Sequence, residues 1–141
     1  MKPLIFGLMM TGTAVISAWA AGASWQPVGF GTMSDSTRFR VFVDTGSIQN
    51  FGEKVRFWQG HVFFDEQHLP SGAPFIRISI SRVVDCVQRS DTNLEALFYN
   101  PSGEIVYKYT ASGGMKFDSV KADTISAAVL HYVCDYVDKD G

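Results

Sequence analysis

The sequence predicts an α+β domain: an antiparallel sheet of five or six strands, with one C-terminal helix packed on it and tied by a disulfide. Three observations predict it. Apolar residues alternate with a period of two in several segments between residues 38 and 110, the signature of strands with two unlike faces. From Thr124 to about Val137 the period lengthens to that of a helix. Two cysteines, Cys86 and Cys134, fall one in the strand region and one in the helical segment.

The chain begins with a segment of another kind. Lys2 precedes an apolar run from Leu4 to Ile16, followed by Ala18-Trp19-Ala20-Ala21. That is a charged n-region, an apolar h-region and an A-x-A site, read as a signal peptide over residues 1–20 with cleavage after Ala20; Ala23 is the alternative site. Gly7, Thr11, Gly12 and Thr13 interrupt the run and make it a poor membrane span. No cysteine follows it to carry a lipid. The expected product is one domain, residues 21–141, exported to the periplasm or cell surface.

Within that domain, "RFRVFVD" sets Phe39, Val41 and Val43 against Arg38, Arg40, Phe42 and Asp44. "GSIQNFGEK" reads as a connection with Asn50 and Gly52 as turn residues, and "VRFWQGHVFF" as a second strong strand. Phe57 and Trp58 have opposite parity, so one of them is expected outside the core. "EQHLPSGAP" reads as a loop. "FIRISISRVVDC" alternates Ile76, Ile78, Ile80, Val84 and Cys86 against Arg77, Ser79 and Ser81, and Arg82 breaks the parity. "LEALFYN" and "EIVYKYT" flank Asn100-Pro101-Ser102-Gly103, a hairpin turn. After a glycine-containing loop, Asp123 is placed to cap the helix. Ile125, Val129, Leu130, Val133 and Val137 build its apolar arc, with Cys134 at the edge of the arc.

Chemistry is sparse. In an oxidising compartment two distant cysteines read as one disulfide, Cys86–Cys134. That removes both as nucleophiles or metal ligands. His131 and Cys134 are spaced i, i+3, yet a disulfide sulfur is no ligand, and His61 and His68 have no partners at ligand spacing. No metal and no cofactor are expected. With 14 acidic and 12 basic residues, a net charge of −2 and no basic cluster along the chain, a nucleic-acid binder is not expected.

The run "VFVDTGSI" contains the Asp-Thr-Gly-Ser of an aspartic protease, which would require a homodimer to bring two Asp44 carboxylates together. No later strand of the kind such a subunit threads past its Asp loop follows residue 60. Asp44, Ser47 and Ile48 are therefore read as a structural turn, with no catalytic residue assigned.

The segments "VFVDTGSIQ" (Asp44, Ser47, Ile48), "EKVRFWQ", "VVDC" (Cys86) and "DTISAAVLHYVCDY" (Asp123 to Tyr136) together resemble the surface-adhesin protein E family of Gram-negative bacteria. The resemblance implies an antiparallel sheet with a C-terminal helix held across it by a disulfide. It also implies binding to host extracellular-matrix or serum proteins, and haem binding. Two features depart from the family: there is no lipid-anchor cysteine, and the charge is less basic. The expected function is a non-enzymatic protein-binding module acting through its strand faces and the 65–74 loop. A periplasmic accessory protein binding envelope or secretion-system components is the second expectation, and the Asp44 protease dimer the third. The oligomeric state is left open, a homodimer included.

Overall fold

The computed structural model describes residues 24–140, so the expected signal segment lies outside the described residues. Six long strands run in chain order as an antiparallel meander: β1 (Trp25–Thr32), β2 (Arg38–Phe51), β3 (Lys54–His68), β4 (Pro74–Asp85), β5 (Ser90–Tyr99) and β6 (Ile105–Thr110). A two-residue β7 (Asp118–Ser119) pairs with β5, and α1 (Ile125–Asp140) closes the chain. Each connection from β1 to β6 joins neighbouring antiparallel strands, which short hairpins suffice to make. Among the described residues no helix is long and apolar enough to cross a membrane.

The core lies between α1 and one face of the sheet. Val41, Val43, Val55, Phe57 and Val84 rise from the strands, Val129, Leu130 and Val133 come down from the helix, and all are buried. The register explains the selection. Phe39 faces Phe63, Val41 faces His61 and Val43 faces Gln59, so one parity of β2 and β3 shares the helix side. Trp58 has the other parity and lies partly buried on the opposite face, while Phe57 is fully buried. Cys86, next after β4, meets Cys134 of α1 with Cα atoms 5.9 Å apart, and its amide donates to Glu53 O at 2.8 Å.

Two glycines let β1 approach its neighbours. A Cβ on Gly29 would press on Ile125 Cδ1 at 3.2 Å, and one on Gly31 would overlap the Phe39 ring. Phe39 is buried and flanked by Phe63 and His61 at ring distances of 5.3 and 4.6 Å, so it has little room to yield. Gly31→Ala is expected to destabilise by about 1–3 kcal/mol through overpacking; a urea melt unchanged from the parent would show that the ring relaxes freely.

The structure corrects the expected boundaries in two places. β2 does not end at Asp44. It continues to Phe51 through a wide irregularity in which residues 45–48 lie between the pairs Asp44↔Trp58 and Gln49↔Arg56, and the chain turns only at Gly52 (φ 79°). Asn50 Oδ1 accepts from the Gly52 amide at 3.0 Å. The helix is capped by Thr124 and not by Asp123: Thr124 Oγ1 accepts from the Ala127 amide at 3.1 Å and donates to Lys121 O at 2.7 Å. Asp123 holds a left-handed conformation (φ 61°) that redirects the chain into the helix, a place short polar residues tolerate. The hairpin at Asn100–Gly103 forms as its residues suggest, with Asn100 Oδ1 accepting from the amides of Ser102 and Glu104.

Candidate functional site

The strand alternation that builds the core also selects what the second face displays. With Phe39, Val41 and Val43 turned to the helix, Arg38, Arg40, Phe42 and Asp44 turn the other way. In β3 the same parity belongs to Arg56, Trp58 and Val62, and in β4 to Arg77, Ser79 and Ser81. Phe30 pairs with Arg40, Arg40 with Val62, and Val62 with Arg77, which fixes one row across four strands. Four of the six arginines in the chain thus share the outer face of the sheet.

At one end of this face the side chains form a sandwich. The Arg38 guanidinium lies 5.6 Å from the Phe30 ring centroid and 5.3 Å from that of Phe64, and the two rings stack at 6.1 Å. Phe30 is 57% exposed, Phe64 50% and nearby Met33 45%, far above what core packing would leave. Arg40 lies 5.8 Å from the ring of Phe42. Each such contact is worth about 0.5–1 kcal/mol at an exposed site. They hold the arginines in place while leaving most of their N–H donors facing solvent. Beside the sandwich a cleft of about 530 Å³ opens, lined by Asp35, Ser36, Thr37, Phe64, Asp65 and Gln67 together with Arg38. The expected 65–74 loop contributes here, although Asp65 and Gln67 belong to β3 and the connection proper covers only residues 69–73.

Asp44, Ser47 and Ile48 find their partners within the sheet and the core beneath it. Asp44 Oδ1 accepts from the amides of Ser24 (2.9 Å) and Gly46 (3.0 Å). Ser47 Oγ donates to Asp44 O at 2.7 Å and accepts from the Trp58 amide at 2.9 Å, so one hydroxyl bridges the irregularity in β2 to β3. Ile48 packs against the core. We propose that these three residues brace the sheet where the regular ladder lapses.

A polar group missed by the sequence reading lies on the helix face. Arg82, set aside as a break in parity, is in register with the helix-facing residues: it pairs with Phe57, between Ile80↔Gln59 and Val84↔Val55. Its side chain is only 4% exposed. Nε donates to Asn93 Oδ1 at 3.1 Å, Nη1 to Gln59 Oε1 at 2.6 Å, and Nη2 forms an ion pair with Asp91. Burial pulls Arg82 below the ordinary arginine range, and Asp91 opposes that shift. The sequence shows Arg82 as the exception to the parity of β4. The available signal was Arg82 itself, since a charge at a core parity asks for a partner.

The network extends to His61. Because Gln59 Oε1 accepts from Arg82, the Gln59 amide nitrogen is left to donate to His61 Nε2, 2.7 Å away. A second ring proton would set two donors against each other. Burial, and then the charge of Arg82, lower the His61 pKa from 6.5 to about 4. The folded value lies below the unfolded one. As pH falls through 6.5 the unfolded chain gains a proton that the folded chain refuses until about pH 4. Stability tied to His61 is therefore complete above pH 6.5 and declines to a loss of about 3 kcal/mol near pH 4. Chemical denaturation at pH 7 and pH 4.5 should show this decline in the parent and a smaller one in His61→Gln. Equal declines would remove His61 as the cause. The other histidines stand apart: His68 pairs with Glu66 at 3.4 Å, and exposed His131 lies 3.3 Å from Arg89 on the helix surface.

A six-stranded meander carrying a disulfide-tied helix on one face, with arginines and aromatics on the other, places the protein among small α+β domains. Residues 25–135 match the family described as surface-adhesin protein E, and the chain belongs to that family. The fold agrees. Crystal form II of Haemophilus influenzae protein E is 14% identical, with a TM-score of 0.54 over 77% of this chain and 88% of that one. The Se-Met form of the same species' protein E is 13% identical, with a TM-score of 0.53 over 82% and 87%. Protein E from non-typeable Haemophilus influenzae is 15% identical, with a TM-score of 0.50 over 78% of each chain. A comparison with curated protein sequences gives no match.

Proposed function

We propose that this protein is an exported, non-enzymatic binding module that engages a host matrix or serum protein through the outer face of its sheet. The observation that carries this reading is the exposed sandwich of Phe30, Arg38 and Phe64. Aromatic residues and arginine are the types that dominate binding energy at protein interfaces. A monomeric surface would have little reason to hold two phenylalanines at half exposure around an ordered guanidinium. Membership of the surface-adhesin protein E family supports the same reading.

The test uses the mature domain, residues 21–141, immobilised against matrix and serum proteins and, in parallel, against envelope proteins of its own cell. Saturable binding of a host protein that falls about tenfold or more in the double variant Arg38→Ala, Phe64→Ala is the expected result. Binding indifferent to both substitutions would overturn the assignment of the site. Capture of an envelope protein in place of a host protein would point instead to a periplasmic accessory protein. Protease treatment of intact cells separates the two: a surface module is shaved away and a periplasmic one survives. An Asp44 protease remains a distinct outcome, recognised by a pepstatin-sensitive activity that Asp44→Asn abolishes.

A further inference from the structure

We infer that the outer face is built to take an acidic segment of a protein partner, an extended run whose carboxylates pair with Arg38, Arg40 and Arg56 while its apolar residues cover Phe30 and Phe64. This rests on the reading that the face binds protein, and it adds the chemistry of what is bound. The first support is charge placement. The chain carries a net charge of −2, yet its arginines gather on this face. Of the acids on or beside this face, Asp44 accepts two backbone amides, Glu95 lies 3.6 Å from Lys108 and Asp35 accepts from the Thr37 amide, while Asp65 lines the cleft next to Arg38.

The second support is what the arginines lack. Arg38, Arg40 and Arg56 are exposed, and no carboxylate of the described residues forms an ion pair with any of them. Arg38 and Arg40 rest on aromatic rings, which orients a planar fork without using its N–H groups. A guanidinium held this way is ready for bidentate pairing with a carboxylate. Arg56 lines a second cleft of about 370 Å³ with Ser47, Gln49 and Trp58.

The third support is geometry. Arg40 is opposite Val62, six residues along β3 from Arg56. At the rise of a strand that separation is about 20 Å, the reach of about six extended residues. The apolar end of the row, with Phe30, Phe64 and Met33 all exposed, argues for a protein segment over a sulfated glycan. A glycan would satisfy the arginines and leave those side chains wet.

The test titrates the folded domain with a synthetic peptide of alternating Glu and Leu, its Gln-for-Glu counterpart, and a heparin oligosaccharide, followed by calorimetry and amide chemical shifts. The expected result is saturable, salt-sensitive binding of the Glu peptide, with shifts confined to β1, β2 and β3. Arg38→Glu and Arg40→Glu should each weaken it about tenfold. Lys121→Glu, the same charge change away from this face, should not. Equal binding of the Gln peptide, equal loss in Lys121→Glu, binding of heparin alone, or no binding would each overturn the inference. If it fails while capture of a host protein still requires Arg38 and Phe64, the acidic chemistry falls and the protein-binding reading stands.

Discussion

Cys134→Ser should lower the stability of the domain by about 4 kcal/mol, the loop-entropy value for a bridge spanning 48 residues. For a domain of this size that corresponds to a fall in Tm of roughly 15 °C. The bridge joins the two parts of the fold that share the fewest backbone constraints. The strands are laced together by ladders of hydrogen bonds, whereas α1 is held by side-chain packing over β1 and β2 and by Cys86 at the end of β4. Opening the bridge frees the helix to detach while the sheet keeps its pairing. Calorimetry of the parent and the variant under non-reducing conditions is the direct measurement. A shift of only a degree or two would mean that Val129, Leu130 and Val133 hold the helix unaided.

Arg82→Met should cost about 3 kcal/mol, because it leaves Asp91 without its ion pair and Gln59 Oε1 buried without a donor. Asp91 is 19% exposed and recovers some hydration, which keeps the cost at the lower end for a broken buried pair. The double variant Arg82→Met, Asp91→Leu should regain much of the loss, since it removes both charges together. Urea denaturation of the two variants measures this. If the single variant loses less than about 1 kcal/mol, water replaces the network at no great cost and Arg82 has no structural weight.

How much of this was legible beforehand differs by element. Val41, Val43, Phe57 and Val84 could be assigned to the core because alternation is a local property of an extended chain. The Asn100–Gly103 hairpin could be placed because its turn chemistry lies within four residues. Ser47 could not be read in the same way. Its hydroxyl reaches the Trp58 amide on another strand, and that contact keeps β2 running past a motif that looks like a strand end. The Thr124 cap was missed for a related reason: two adjacent residues each offer a suitable oxygen, and backbone geometry at Asp123 decides between them.

The surface shows the same division. Read along the chain, the charges are scattered and slightly acidic, which argues against a basic binding surface. Folding three strands into register changes that, because Arg38, Arg40, Arg56 and Arg77 all carry the parity that faces away from the helix.

The sequence by itself determined the periods, the cysteine pair and the order of elements, since each is written in residues close together or in a count of two. Only the tertiary structure decided that Arg82, Gln59, His61 and Asp91 would meet within the helix side of the sheet, and that the arginines would meet outside it. Both depend on which strand lies beside which and in what register. That is settled by the summed burial of the whole sheet and not by any one segment.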